Sequence, residues 1–153
     1  MAAFAVQKTF GIPFFIHGAD AFLLPRMNES AQHFLGITSV DPPPVIDRML
    51  RDGEILRVGK LLLKVFETPG HTPGSVCLYH AGSASLFCGD LLFAHGDVGR
   101  TDFSYSDAVA LRGSIDRVLG YPQATALYAG HGSSTTIGSE RPHHKRSPVN
   151  THR

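Results

Sequence analysis

The sequence has no tryptophan, only two cysteines, and no uninterrupted apolar run long enough to cross a membrane. Its 153 residues are 42% hydrophobic and 18% charged, a balance that favours a folded core over a disordered chain. Two cysteines are too few for a disulfide framework, so we interpret Cys77 and Cys88 as buried thiols that stay unpaired in a reducing compartment. The apolar start is followed, not preceded, by Lys8, which does not suit a secretory signal. We therefore expect a soluble cytoplasmic protein with no membrane partner.

A strong excess of positive charge is also missing. The net charge of +1 includes four positive and no negative charges in residues 141–153, which leaves −3 on the rest of the chain. The rest of the chain is mildly acidic and lacks the excess of basic residues that nucleic-acid binding needs, so we expect no nucleic-acid partner. By length the chain is one domain. We predict that it occupies residues 1–140 and that residues 141–153 form a basic, disordered tail.

Apolar periodicity and turn residues predict the order of helices and strands. In the first half we expect a short helix ending at Gly11, a buried strand at residues 14–16 and a second helix that Asn28 or Ser30 caps and Gly36 ends. An extended proline loop follows at residues 41–44. In the second half we expect a hairpin of residues 55–58 and 61–66, a hairpin of 75–79 and 85–88, a helix over 106–119 and a strand over 125–129.

Three polar residues follow predicted strands in turns rich in glycine or proline: His71, Asp90 and His131. Sheet proteins place reactive groups at the ends of core strands, because the sheet fixes the backbone while the loop leaves the side chain free. Alone, a histidine at such a position is usually a structural hydrogen-bonding group, and an aspartate after glycine is usually a turn residue. Together, two imidazoles and a carboxylate suit a zinc, iron or manganese ion.

Five motifs carry a family resemblance, and they occur in the order TPGHTPGS at 68–75, LFCGD at 86–90, GRTDF at 99–103, YAGHG at 128–132 and TTIG at 135–138. As an ordered set over residues 3–140 they resemble the metallo-β-lactamase superfamily, and within it the short hydrolases similar to glyoxalase II (hydroxyacylglutathione hydrolase). The resemblance implies an α+β protein with an αββα sandwich and a binuclear zinc site at one edge of the sheets, with iron or manganese as alternatives. It also implies hydrolysis of a small-molecule thioester by a metal-bound hydroxide.

The resemblance assigns roles to the same three residues. His71 resembles a ligand of the first metal, His131 resembles a ligand of the second, and Asp90 resembles the catalytic carboxylate that bridges both ions. Arg100 and Asp102, in GRTDF, could bind substrate, but we interpret them as a pair that braces its loop. No substrate-binding residue is assigned.

One family motif is absent, because the sequence contains no His-x-His-x-Asp-His. The chain therefore resembles a family member without its N-terminal part, through a truncated gene or a start assigned too late. Each metal would keep one histidine and the shared Asp90, whereas a catalytic zinc normally has three protein ligands. We expect low metal occupancy and little hydrolase activity from this chain, and self-association through the sheet that the absent strands leave exposed.

Two other functions remain open at this point. The persulfide dioxygenases share the GRTDF element and use a single iron, and they form the second candidate. A non-catalytic remnant of the family, without tight metal binding, is the third. We do not expect a nucleophilic role for Cys88, because nothing in the sequence marks a base beside it.

Overall fold

A computed structural model describes residues 2–38 and 41–144. Within these ranges the α-helices are α1 (Ala3–Phe10), α2 (Met27–Leu35), α3 (Ala108–Leu119) and α4 (Ile137–Glu140). The strands are β1 (Phe14–His17), β2 (Ile46–Leu50), β3 (Ile55–Val58), β4 (Leu61–Glu67), β5 (Val76–His80), β6 (Ser85–Gly89), β7 (Ala126–Ala129) and β8 (Thr135–Thr136). Short 3₁₀ helices cover Gly18–Arg26, Ala81–Ser83, Ala94–Gly96 and Arg141–His144. The chain divides into two compact units between Asp52 and Gly53.

The first unit contains a two-stranded parallel sheet of β1 and β2. Its first helix ends as predicted at Gly11, whose φ of 60° is in the left-handed region that glycine adopts without strain. The predicted strand at residues 14–16 is confirmed, but β1 is half-buried and not buried. Among the described residues β1 pairs only with β2, so its other edge is not covered by a strand. Strand β2 was not predicted, because Asp47 and Arg48 interrupt its apolar pattern.

The second helix also differs from its prediction at one end. It ends at Gly36 as predicted, with a left-handed φ of 65°. Neither Asn28 nor Ser30 caps it, because the 3₁₀ helix before it leads directly into α2. The N–H of Met27 donates to the carbonyl of Leu24, so preceding backbone replaces a side-chain cap.

The second unit is built on a six-stranded sheet in the order β3-β4-β5-β6-β7-β8. Both predicted hairpins are confirmed: β3 pairs antiparallel with β4 around Gly59, and β5 pairs antiparallel with β6. Cys77 and Cys88, one on each of β5 and β6, are buried free thiols, as predicted. The pair β6 and β7 is parallel, and α3 lies in the connection between them.

The predicted helix is confirmed as α3, although it begins at Ala108 and not at 106. Asp107 is the N-cap, and its carboxylate accepts hydrogen bonds from the N–H groups of Val109 and Ala110. The buried face of α3 presents Leu111, Ile115 and Val118 to the sheet core. Each fully buried side chain of this kind contributes about 1.5–3 kcal/mol relative to an exposed one.

The chain after β7 is more ordered than the sequence indicated. The predicted tail begins too early, since Arg141–His144 form a 3₁₀ helix and the Arg141 guanidinium donates to the carbonyls of Leu119 and Tyr121 at 2.6 and 2.9 Å. Residues 145–153 of the predicted tail lie outside the described residues. Within the described ranges, no helix has the length and apolarity needed to cross a membrane.

Candidate metal centre

The topology of the sheet brings three chain segments to one edge. The parallel strands β6 and β7 end side by side, and a hydrogen bond of 2.9 Å joins the N–H of Gly130, which follows β7, to the carbonyl of Gly89, the last residue of β6. Asp90 and His131 come next in each segment. Strand β5 is antiparallel to β6, so the loop that leads into β5 lies at this same edge, and His71 belongs to that loop.

The loop that carries His71 is held by hydrogen bonds to the carbonyls of His71 and of the residue before it. Ser106 Oγ donates to the carbonyl of His71 at 2.6 Å, and the Asp107 N–H donates to the carbonyl of Gly70 at 2.8 Å. Both donors lie at the start of α3. Gly70 is required here, because a Cβ on it would overlap the backbone of Leu111. The position of His71 is therefore coupled to the N-terminus of α3.

A backbone carbonyl sets the tautomer of His71. Its Nδ1 lies 3.0 Å from the carbonyl oxygen of Arg100. Because a carbonyl only accepts hydrogen bonds, Nδ1 is the donor in this contact, and in a neutral imidazole the lone pair then lies on Nε2. An imidazole oriented in this way is prepared to ligate a metal through Nε2.

The Asp90 carboxylate lies between the two imidazoles and uses a different oxygen toward each. His71 Nε2 is 3.7 Å from Asp90 Oδ2, and His131 Nε2 is 3.6 Å from Asp90 Oδ1. Two ligands at about 2.0–2.2 Å from one zinc in tetrahedral geometry are separated by similar distances. The side chains are 20%, 34% and 72% exposed for His71, Asp90 and His131, so the site opens to solvent on the His131 side.

Two glycines let the backbone approach Asp90 closely. A Cβ on Gly99 would overlap the carbonyl oxygen of Asp90, and a Cβ on Gly130 would overlap its Oδ1. Side chains at these positions would displace the Asp90 backbone or carboxylate. Both glycines belong to motifs that the sequence analysis used, but the reason for them is visible only in three dimensions.

A cavity of about 580 Å³ opens over the three residues. The other side chains that line it include Phe93, Asp97, Val98 and Arg100. The ring of Phe93 stacks on the ring of His131, with centroids 4.5 Å apart and planes at 29°. Phe93 was not predicted as a site residue, because an apolar residue beyond a strand gives no signal of a site.

His71, Asp90 and His131 supply some of the ligands that a two-metal site needs, but they do not complete either metal position. The residue types are those that zinc and iron use, and each carboxylate oxygen faces one imidazole. Each position has only two donors, and within residues 2–38 and 41–144 no group of three or more His, Cys, Asp or Glu side chains is placed to hold one ion. That these residues ligate a metal stays a prediction.

Other residues considered at the sequence level have structural contacts. Arg100 makes two hydrogen bonds to Asp102, at 2.8 and 2.6 Å, and its guanidinium lies 4.7 Å from the centroid of Phe103. This hydrogen-bonded pair lowers the pKa of the Asp102 carboxyl. The arrangement agrees with a loop brace, although Arg100 also lines the cavity. Burial raises the pKa of the Cys88 thiol to about 11, which agrees with the absence of a nucleophilic role.

The family of this chain is shown by its similarity to known proteins. Residues 2–131 match the family described as the metallo-beta-lactamase superfamily. The chain is 36% identical to the hydroxyacylglutathione hydrolase GloC of Haemophilus influenzae over 143 residues, which is 92% of this chain and 66% of GloC. The matched range includes His71, Asp90 and His131.

Solved structures show the same fold. The BLEG-1 B3 metallo-beta-lactamase has a TM-score of 0.80 and 38% identity, over 94% of this chain and 68% of that one. TTHA1623 in a di-iron-bound form has a TM-score of 0.80 and 33% identity, over 92% of this chain and 67% of that one. The chain belongs to the metallo-β-lactamase superfamily, and the predicted α+β fold class is confirmed. It spans 64% to 66% of the length of the curated relatives that match about nine-tenths of it.

Proposed function

We propose that this chain carries one part of the active site of a metal-dependent thioester hydrolase similar to glyoxalase II. The observation that supports this most is the Asp90 carboxylate, which directs one oxygen to His71 and the other to His131 at 3.6–3.7 Å. A carboxylate in that position suits a bridge between two ions. The hydroxyacylglutathione hydrolase among the relatives supports a thioester as the substrate class.

The roles of the chain's own residues follow from their contacts. His71 offers Nε2 because Nδ1 is committed to the Arg100 carbonyl. His131 is held by its stacking on Phe93. A bound metal would supply a nucleophilic water at neutral pH and polarise the thioester carbonyl. The cavity above the three residues is where a small thioester would lie, next to Val98 and Arg100.

The test is hydrolysis of S-lactoylglutathione by the purified 153-residue chain with added zinc, beside metal analysis after dialysis. We expect turnover near background and loss of most metal on dialysis, because each ion would have two protein donors where catalysis normally uses three. Any residual turnover that exceeds that of the His71→Ala variant should be seen with the thioester and not with nitrocefin, a β-lactam. Robust thioester turnover that His71→Ala abolishes, with near-stoichiometric metal, would show that three donors suffice.

A second candidate is carried by the GRTDF element at 99–103, which packs around His71 through Arg100 and Phe103. This element resembles that of the persulfide dioxygenases, and the resemblance implies a single iron. Oxygen consumption with glutathione persulfide and Fe²⁺, without thioester hydrolysis, would favour this candidate over the first.

A further inference from the structure

The segment that follows Asp90 forms a narrow loop over residues 91–99. Leu92 and Val98 form an antiparallel bridge, and the Phe93 N–H donates to the carbonyl of Asp97 at 2.9 Å. The tip is the 3₁₀ turn Ala94–Gly96. This loop has Asp90 at its base and places Phe93 against His131, so its conformation affects two of the three site residues.

The tip of this loop has an unusual backbone conformation. His95 has a φ of 68°, which is uncommon for a residue with a side chain, and Gly96 has a φ of 85°. A Cβ on Gly96 would lie 2.8 Å from the Cβ of His143, so a larger residue does not fit. Such a tip persists only where the surrounding structure holds it.

Glu140, which lies 44 residues after Gly96 in the sequence, holds the tip in this conformation. Its side chain is buried, with 2% exposure. Its carboxylate accepts hydrogen bonds from the N–H of Gly96 at 2.8 Å and from the N–H of His95 at 3.3 Å. It also accepts one from Thr135 Oγ1 at 2.5 Å. Thr135 lies four residues after His131, so Glu140 joins the loop after Asp90 to the segment after His131.

We propose that Glu140 is a positioning residue for the candidate metal centre, which it serves by fixing the loop that sets Phe93 against His131. This inference rests on the proposed function, because it assigns Glu140 to the same site. Burial raises the pKa of Glu140, but the hydrogen bonds from Thr135, Gly96 and His95 outweigh it and lower the pKa below its usual range. Glu140 is therefore an ionised acceptor at neutral pH.

The test compares Glu140→Gln with a matched control at the N-cap of the same short helix. The glutamine amide places an NH₂ group where a carboxylate oxygen accepted a backbone N–H, so the tip loses at least one hydrogen bond. Thr136→Ala removes the N-cap of α4, where Thr136 accepts from the Ser139 N–H, without touching the loop. Thr135→Val is a second variant that keeps the carboxylate and removes one donor to it.

Two readouts separate positioning from general stability. The first is the zinc dissociation constant, which we expect Glu140→Gln to raise about 10- to 100-fold, as the loss of an outer-shell partner does. Thr135→Val should act in the same direction by less, and Thr136→Ala should stay within about twofold. The second is solution NMR, in which Glu140→Gln should abolish the Phe93–His131 ring Overhauser effects and the slow exchange of the Gly96 amide.

The results of these two measurements distinguish failure of this proposal from failure of the proposed function. Equal effects of Glu140→Gln and Thr136→Ala on both readouts would overturn the proposal, because Glu140 would then act only through the stability of α4. If the wild-type chain binds no zinc, the proposed function fails, and the NMR readout still decides whether Glu140 positions Phe93 and His131. If Glu140→Gln does not fold, Thr135→Val decides: unchanged ring contacts and Gly96 exchange would contradict the proposal.

Discussion

At the scale of single residues, the candidate site depends on glycines, which leave room for Asp90, as much as on residues with polar side chains. Gly130 leaves room for Asp90 Oδ1, and Gly99 leaves room for the Asp90 carbonyl. The sequence predicted His71, Asp90 and His131 because polar residues stood out at the ends of apolar strands. It did not predict Phe93 or Glu140. A buried glutamate near the end of the chain looks like an exposed helix residue until its contacts with residues 44 and 45 positions away are known.

The first residue-scale prediction concerns Gly130. Gly130→Ala should weaken zinc binding about 10- to 100-fold, because the new methyl group must displace the Asp90 carboxylate from its place between the imidazoles. Gly113→Ala is the matched control, since a Cβ at this exposed position in α3 meets no other atom. It should raise stability by about 0.5–1 kcal/mol and leave zinc affinity unchanged. Equal zinc affinity in the two variants would contradict the account. The measurements are a zinc titration and thermal unfolding.

The second residue-scale prediction concerns the buried thiols. Burial raises the pKa of Cys77 from 9.0 to about 12 and that of Cys88 to about 11. Above pH 9 the unfolded chain therefore releases thiol protons that the folded chain retains, so these groups lower stability as pH rises from 9 through the folded pKa values. For each protein the melting temperature is measured relative to its own value at pH 8. It should fall less across that range in Cys77→Ala than in the wild type. An identical slope in the variant would contradict this assignment.

At the scale of elements, the second unit follows local sequence closely. Gly59 and the apolar strands around it predicted the first hairpin, and the periodicity of α3 predicted its buried face. The parallel pairs β1–β2 and β6–β7 could not be predicted, because parallel pairing depends on long-range contacts and not on a turn. Strand β8 and helix α4 are only two and four residues long, too short for any periodicity to show.

An element-scale prediction concerns the start of α3. Asp107→Ala should destabilise the protein by about 1 kcal/mol, because two N–H groups of the first turn lose their acceptor. In a chain of this size that lowers the melting temperature by about 2–4 °C. Asp107→Asn is the control, since asparagine also caps helices and should retain most of the stability. An alanine variant as stable as the asparagine variant would show that the cap contributes little.

At the scale of the whole molecule, the ordered set of motifs predicted the fold class, and the solved structures confirm it. The number of side chains that can ligate a metal also depends on the whole chain, because the ligands come from separate segments. The described residues bring together one carboxylate and two imidazoles, and the sequence contains no His-x-His-x-Asp-His that would add to them. The confirmed fold class therefore does not by itself indicate how much hydrolase activity this chain has.

The expectation of self-association belongs to this scale. Strand β3 is at the end of the six-stranded sheet, and Ile55, Val58 and Leu61 on β3 and β4 are 54%, 56% and 48% exposed. Val58→Lys should reduce association in sedimentation velocity, because a charged side chain on an edge strand opposes strand pairing between copies. Val109→Lys, at an 83% exposed position on α3, is the matched control and should leave association unchanged. A monomeric wild-type chain at all concentrations would refute this expectation.

The central claim is that Asp90 binds metal together with His71 and His131, one on each of its two carboxylate oxygens, and zinc binding by the purified chain tests it most directly. Equilibrium dialysis should show weak binding to the wild-type chain, with a dissociation constant more than about 100-fold higher in Asp90→Ala, because a direct ligand contributes more than an outer-shell partner. Asp116→Ala, which removes a carboxylate from α3, should bind zinc like the wild type. Zinc binding that is the same in Asp90→Ala and Asp116→Ala would contradict the account.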